Sequence, residues 1–459
     1  MESRFMYHFN KDGDAPRLES STNQCLTVDR GIDSSRTAHF NVEGHQEKVI
    51  DMSRCYIKTI FRVVKENGDM LDATDYVYLK ENFGTNLWAQ ASVRLNRTPL
   101  PPSNDYPYTA LLINLLGSTP EHRTLIKQVQ GTGGTHGQGS SKMSDLSEAS
   151  KMFNKSLIAG SRWVTIYNQI YSDFMMSCSQ YLPNKMSLGL TLTRGKDSFV
   201  LGTHGESTNK TYKIEVSSVK LFVNRKLLNS IGRSMLGDGL SGGGYLQYQR
   251  LHTVVNACGQ GSLNFHAHDC FAGIAPRKAF VCLVSQASFY GSFQRDGSYL
   301  ESAGVATVRF LLDGRDIMAE PYNVSFKYHP TKKTVITLDD IHQAQYLVEK
   351  GEVDADPQSP FILQEGSSNA VSAYDGLLRV MGTSNSPRFS TGIYYSDFID
   401  GSTVYAVDLD HCEDLRAEHG SFDVDIEFAT PLSETMMVVI IGEYPKTLAF
   451  DADRSIREM

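Results

Sequence analysis

The sequence has no apolar run approaching the ~20 residues that a membrane-spanning helix requires, so no membrane span is expected. Positive charge is in deficit. Against 52 Asp and Glu stand 44 Lys and Arg, giving a formal net charge of −8 and a pI near 5.9. A chain so balanced has no global basic footprint for gripping phosphates, and wholesale nucleic-acid binding is not expected. Cysteine is sparse and unpaired in pattern. Seven residues (Cys25, Cys55, Cys178, Cys258, Cys270, Cys282 and Cys412) form no CxxC pair, which suits buried thiols in a reducing compartment rather than a disulfide framework. Met1 to Asp14 carries charge from Glu2 onward and lacks an apolar h-region, so no secretory signal is expected. A soluble chain made in the cytosol follows, in which Asn154-Lys-Ser has no meaning as a glycosylation site.

Catalytic signatures are missing as well. The glycine-rich stretch 131–141 is no phosphate cradle, because Gly134 to Gly139 is followed by Ser140 where a P-loop needs lysine. Neither Gly259-Gln-Gly261-Ser nor Gly291-Ser-Phe makes a nucleophile elbow. Cys178 or Cys258 could be paired on paper with a distant histidine, but buried thiols are the plainer reading. The best metal-like set is His266, His268 and Cys270, alternate residues that a strand would project to one face. A fourth ligand and a second shell are not apparent, and strand histidines are ordinarily surface or core residues. Asp423, Asp425 and Glu427 read as a solvated strand face rather than a calcium or glycosidase pair. The 22 tyrosines, with Trp88 and Trp163, read as core and interface rather than a sugar platform. Catalytic, cofactor-binding and metal assignments are therefore none.

What is present is alternation. With 459 residues and 41% apolar content, the chain can bury more than one core. Phe422, Val424, Ile426 and Phe428 alternate with polar neighbours, as do Met186, Leu188, Leu190 and Leu192, and Ile57, Phe61 and Val63. In Tyr212 to Val223 the apolar phase slips at Ser217-Ser218, where a β-bulge is expected. Further strands are expected at Trp163–Tyr171, Ala279–Ser285, Val305–Leu312, Val404–Leu409 and Met436–Gly442, the last covered on both faces. Helical signals are few: Tyr108–Leu116, Asp145–Ile158 and Leu338–Glu349. Strands without βαβ alternation predict an all-β chain of tandem sandwiches with a few inserted helices. The division expected is 1–229, a glycine-rich connector 230–244, and 245–459. The halves echo one another: Ser92-Val-Arg-Leu-Asn-Arg-Thr-Pro parallels Thr307-Val-Arg-Phe-Leu-Leu-Asp-Gly, each a strand running into a polar turn. Leu182-Pro-Asn-Lys-Met similarly parallels Pro431-Leu-Ser-Glu-Thr-Met.

Five ordered segments carry a family resemblance. They are Ala91-Ser-Val-Arg-Leu-Asn-Arg-Thr-Pro-Leu with Asn104-Asp-Tyr-Pro-Tyr-Thr-Ala-Leu-Leu, Leu190-Thr-Leu-Thr-Arg-Gly-Lys-Asp-Ser-Phe-Val-Leu, Tyr212-Lys-Ile-Glu-Val-Ser-Ser-Val-Lys-Leu-Phe-Val, Ser288-Phe-Tyr-Gly-Ser-Phe, and the C-terminal Glu427-Phe-Ala-Thr-Pro-Leu-Ser-Glu-Thr-Met-Met-Val-Val-Ile-Ile-Gly-Glu-Tyr. Together they resemble the double jelly-roll major capsid proteins of Polinton/Maverick-type elements and adintoviruses. The resemblance implies two jelly rolls per subunit, a homotrimer forming a pseudo-hexagonal capsomer, and an icosahedral capsid lattice. It further implies a minor penton capsid protein as partner, packaged DNA met only indirectly, and a virion location after synthesis in host cytoplasm, with assembly there or in the nucleus. The loops after Pro101, around Gly131 and across 329–390 are the expected contacts between copies. A penton-like minor capsid protein and a β-sandwich glycan-binding protein are the alternative readings.

Overall fold

The computed structural model describes residues 18–27, 36–103, 105–119, 141–142, 155–178, 180–207, 210–325, 370–382, 393–409 and 419–458, with His122, Leu125 and Val129 singly. The first half contains β1 (Leu18–Thr27), β2 (Thr37–Val42), β3 (Lys48–Lys65), β4 (Val77–Leu79), β5 (Trp88–Leu95), β6 (Thr98–Pro99), β7 (Val164–Gln169), β8 (Leu188–Arg194), β9 (Leu201–Thr203) and β10 (Tyr212–Leu228). The second contains β11 (Gly244–Cys258), β12 (Asn264–Ala267), β13 (Lys278–Ser285), β14 (Val305–Leu312), β15 (Arg315–Asp316), β16 (Tyr322–Asn323), β17 (Tyr405–Asp408), β18 (Phe422–Phe428), β19 (Met436–Phe450) and β20 (Ile456–Glu458). Short helices interrupt them: α1 (Phe83–Asn86), α2 (Tyr106–Gly117), α3 (Asp173–Ser177), α4 (Asp197–Val200), α5 (Ser230–Gly239), α6 (Gln286–Tyr290), α7 (Val371–Val380) and α8 (Tyr395–Ile399).

The strands form two sandwiches with one topology. Sheet orders β1-β10-β3-β7 and β2-β8-β5-β6 build the first; β11-β19-β13-β17 and β12-β18-β14-β15 build the second. With the eight principal strands of each half numbered in chain order, both halves read 1-8-3-6 in one sheet and 2-7-4-5 in the other. Every pairing in these sheets is antiparallel, and the first strand of each half pairs with the last. This long-range closure, β1 against β10 and β11 against β19, is the wrapping of a jelly roll.

Local sequence explains the elements. Along β3, Ile57, Phe61 and Val63 are buried while Lys58 and Arg62 lie on the other face. The phase slip in β10 is a register shift against β3 between Val216 and Ser218, as the spacing predicts. The seven residues Met436–Gly442 are all buried, and β13 beside them is nearly so, because both faces of this sheet are covered. The helix expected over Tyr108–Leu116 is α2. Of Asp145–Ile158, residues 155–158 are helical and 145–154 lie outside the described residues, as does Leu338–Glu349. Among the described residues no helix is long and apolar enough to cross a membrane.

Three expectations need correction. The glycine-rich connector 230–244 contains a helix, α5, whose start is capped by Asn229, its side chain accepting from the Gly232 amide. Such a cap satisfies an otherwise orphaned amide and offsets part of the cost of three glycines in the helix. The Leu182 and Pro431 segments precede β8 and β19, the seventh and eighth strands of their halves, and so are not equivalent. The Ser92 and Thr307 segments, in contrast, are the same hairpin in both halves: β5-β6 and β14-β15, the fourth and fifth strands. Finally, the chain after Pro101 is not a free loop but leads into α2, buried within the molecule.

Candidate assembly surfaces

The two sandwiches share a seam built from both halves of the chain. β11 and β19 are long enough to reach both cores: Leu246, Tyr248, Leu448 and Phe450 join the first, while Cys258 and, from β19, Met436, Val438, Val439, Ile440, Ile441 and Tyr444 join the second. Helix α2 does the same. Tyr106 and Ala110 belong to the first core, and Tyr108, Leu111, Leu112, Leu115 and Leu116 to the second. Residues three and four apart share a helix face, so this short sequence presents apolar groups to two bodies. Its outer face meets Phe280, Cys282, Leu300, Val404 and Ile441, and each such side chain removed from water stabilises the seam by roughly 1.5–3 kcal/mol.

Polar residues complete the junction. Lys80 is buried, and its ammonium donates to the carbonyls of Ser198 (2.8 Å) and Ser292 (2.6 Å), one from each half. Burial pushes its pKa down to about 7, opposed by the charge of Asp296. Asn86 donates to Ser298 Oγ at 2.8 Å and to the Glu81 carbonyl at 3.2 Å. The Thr203 amide donates to the Phe293 carbonyl at 2.7 Å. Phe199 lies over Gly297, where a Cβ would stand 2.7 Å from its ring, so only glycine permits this approach. Further along, Asn96 Nδ2 donates to the Arg454 carbonyl, and Arg454 Nη1 to that of Leu240. A buried junction with this many satisfied groups makes the two sandwiches one rigid unit.

The residues singled out for chemistry lie elsewhere and do not converge. His266 and His268 project from the outer face of β12 and its following turn, 59% and 70% exposed. Each meets an aspartate of β18: His266 Nδ1 pairs with Asp425, and His268 Nδ1 with Asp423 at 3.0 Å. The hydrogen bond to Asp425 holds His266 above its ordinary pKa. Cys270 is buried away from them, its thiol pushed up to about 12 by burial. Among the described residues no group of three His, Cys, Asp or Glu could hold a metal ion. Asp423, expected on a wet face, is buried; burial raises its pKa, but the Asp269 amide, Ser421 and His268 overcome this and hold it low. Asp425 is half-buried and Glu427 exposed, as alternation predicts. Cys55, Cys178, Cys258 and Cys282 are buried and Cys25 is exposed. Residues 131–140 and Cys412 lie outside the described residues, as do those of 329–390 other than 370–382.

Two of the exposed large apolar side chains share one sheet face. On the outside of β1-β10-β3-β7, Trp163 is 50% and Tyr167 39% exposed. Arg62 lies over the Trp163 ring at 4.8 Å, Lys58 over Tyr167 at 5.7 Å, and Tyr56 stacks on Phe222 at 4.8 Å. Sequence reasoning passed over this face because Tyr56, Lys58 and Arg62 read as the polar side of an ordinary strand. Their joining to Trp163 and Phe222 needs the pairing of β3 with β7 and β10.

No family model matches the sequence, and no curated protein matches it. Solved structures match the fold over the whole chain. The Sputnik virophage structure aligns with a TM-score of 0.57 at 9% identity, covering 100% of this chain and 92% of that one. The mavirus major capsid protein gives 0.50 at 12% identity, covering 100% and 93%. The PBCV-1 virus capsid gives 0.52 at 8%, covering 98% and 99%. With the strand order repeated in both halves and the likeness running from end to end, the chain has the double jelly-roll fold.

Proposed function

We propose that this protein is a structural capsid subunit, a major capsid protein of the Polinton/Maverick and adintovirus type. Its domains are 1–229 and 245–459, joined through 230–244. Three copies form a capsomer of six similar sandwiches, and capsomers tile an icosahedral shell closed at its vertices by a minor penton capsid protein. The subunit resides in the virion capsid after synthesis in host cytoplasm and meets packaged DNA only indirectly. The observation that carries the reading is the repetition of one strand order in two sandwiches locked by a buried seam. A rigid two-block unit suits a lattice, since its contacts can close by symmetry without deforming the subunit. Likeness to three viral capsid structures along the full chain supports it. Catalysis is no part of the role proposed.

The test is the mass and outline of the purified full chain at near-physiological salt, by light scattering and negative-stain microscopy. A mass three times that of one chain with a hexagonal outline, or closed shells, is expected. A monomer persisting at all concentrations overturns the reading.

A further inference from the structure

A strand at the end of a sheet leaves a row of backbone amides and carbonyls without strand partners. β11 ends the sheet β11-β19-β13-β17, and among the described residues no strand pairs with its far side. Side chains of the first sandwich close that side instead. The Leu251 amide donates to Asp173 Oδ2 at 3.3 Å, the Gln249 amide to Ser177 Oγ at 2.8 Å, and the Gln247 amide to Gln180 Oε1 at 3.3 Å. The Ser177 hydroxyl also lies 3.0 Å from the Gln249 carbonyl and 2.5 Å from the Asp173 carbonyl of its own helix. It thus meets both outward groups of Gln249, as a partner strand would. The contacts run down β11 as the chain runs from Asp173 to Gln180, so this segment lies antiparallel to β11 where a next strand would stand. The repeats agree: four residues of helix rise about 6 Å and two residues of strand about 6.7 Å, which lets Asp173 and Ser177 of α3 reach alternate amides.

We propose that Asp173, Ser177 and Gln180 are a built-in stop: they occupy the outer edge of β11 and keep a strand of a second copy from pairing there. This goes beyond the capsid-subunit reading and does not depend on it. The make-up of the edge shows why a stop is needed. β11 pairs with β19 from Gly244 to Cys258 without a register shift, and it reads Gly-Tyr-Leu-Gln-Tyr-Gln-Arg-Leu-His-Thr-Val-Val-Asn-Ala-Cys. Proline, lysine and bulges, which ordinarily blunt an edge, are all missing from it, while its aromatic and β-branched residues suit pairing. The equivalent edge of the first sandwich differs. β1 carries Glu19, Ser20, Ser21, Thr22, Asn23 and Gln24, and its register breaks between Leu18 and Ser20. The side-chain cap falls on the edge that is long, unbroken and rich in apolar residues.

The test is a full-length variant, Asp173→Ala with Ser177→Ala and Gln180→Ala, beside a control, Asp173→Asn with Gln180→Glu, that keeps an acceptor oxygen at each position. Circular dichroism verifies folding, and Ser177→Ala with Gln180→Ala takes the place of the triple variant if that one unfolds. Hydrogen exchange at the freed amides of β11 is expected to be roughly tenfold faster than in the wild type, with the control at the wild-type rate. Light scattering is expected to show a mass above that of the wild type and growing with concentration, with an intermolecular β-sheet band in the infrared. Adding Gln249→Pro removes the outward amide at an edge position where proline is tolerated, and should return the mass to the wild-type value. Exchange that is unchanged, a control as fast as the variant, a mass unchanged at every concentration, or association that survives Gln249→Pro overturns the proposal. In each case the mass of the wild-type chain still decides the capsid reading separately.

Discussion

Tyr108, on the helix supplied by the first sandwich, stacks on Phe289 of the second with ring centroids 5.1 Å apart and planes 10° from parallel. The pair sits in the seam, and the Tyr108 hydroxyl is buried with no hydrogen-bond partner. An unsatisfied buried hydroxyl costs about 1–3 kcal/mol, whereas the ring contributes packing. Tyr108→Phe should therefore leave the thermal midpoint unchanged or raise it. Tyr108→Ala should destabilise by roughly 3–5 kcal/mol and show faster hydrogen exchange along α2 and β13.

Asn96 and Asp313 head the equivalent hairpins of the two sandwiches, with φ of 52° and 51°. Asn and Asp tolerate this left-handed conformation better than β-branched residues. Asn96 also accepts from the Ser187 amide at 2.8 Å and donates to the Arg454 carbonyl. Asn96→Val should cost roughly 2–4 kcal/mol, backbone strain and lost hydrogen bonds together. Asn96→Gly should recover the strain alone, giving an intermediate urea midpoint.

Asp75 is buried where the Lys65 and Lys210 ammonium groups and the Tyr212 hydroxyl converge. Burial raises its pKa, but the Asp72 amide, Lys210, Tyr212 and Lys65 outweigh this and hold it at about 2, below the ordinary 3.8. A carboxylate depressed on folding contributes stability that is fully present above 3.8 and lost as pH falls toward 2. The contribution is on the order of 2 kcal/mol. Asp75→Asn should lower the thermal midpoint at pH 6 and flatten the midpoint's dependence on pH between 4 and 2, which scanning calorimetry would read.

Lys80, also depressed on folding, gives a slope of the same sign in a higher pH window. Its pKa falls from 10.5 to about 7 on burial, so between those values the unfolded chain binds the extra proton. Stability should rise with pH across this window. Lys80→Met should abolish that slope while leaving the acid limb unaltered; a slope unchanged in the variant would show that Lys80 is charged in the folded protein throughout.

The local elements were legible because their causes are local. Alternation in Phe422–Phe428, the phase slip at Ser217-Ser218 and the polar turns after Leu95 and Leu312 each depend on residues within a few positions of one another, and each stands in the structure as read, save that Asp423 is buried. The doubly covered strand at Met436 was equally plain, since two buried faces demand an unbroken apolar run. The helix α5 was hidden by its glycines, which mask a cap that acts through one side chain, Asn229.

The candidate surfaces were far less legible. Lys80 reads as a solvated cation, yet the carbonyl of Ser292, more than two hundred positions away, accepts a hydrogen bond from it. Histidines that alternate like ligands are instead partnered by Asp423 and Asp425 of a strand that follows some 150 residues later. By itself, then, the sequence determined many of the strands, several of their turns and most of the side chains those strands bury, because backbone sterics and hydrophobic periodicity operate over neighbouring residues. Only the tertiary structure decided that β1 lies against β10 and β11 against β19, that α2 is spent inside the chain, and that an aromatic face remains open. Those outcomes depend on surfaces meeting across the whole chain, and no local pattern records which surface meets which.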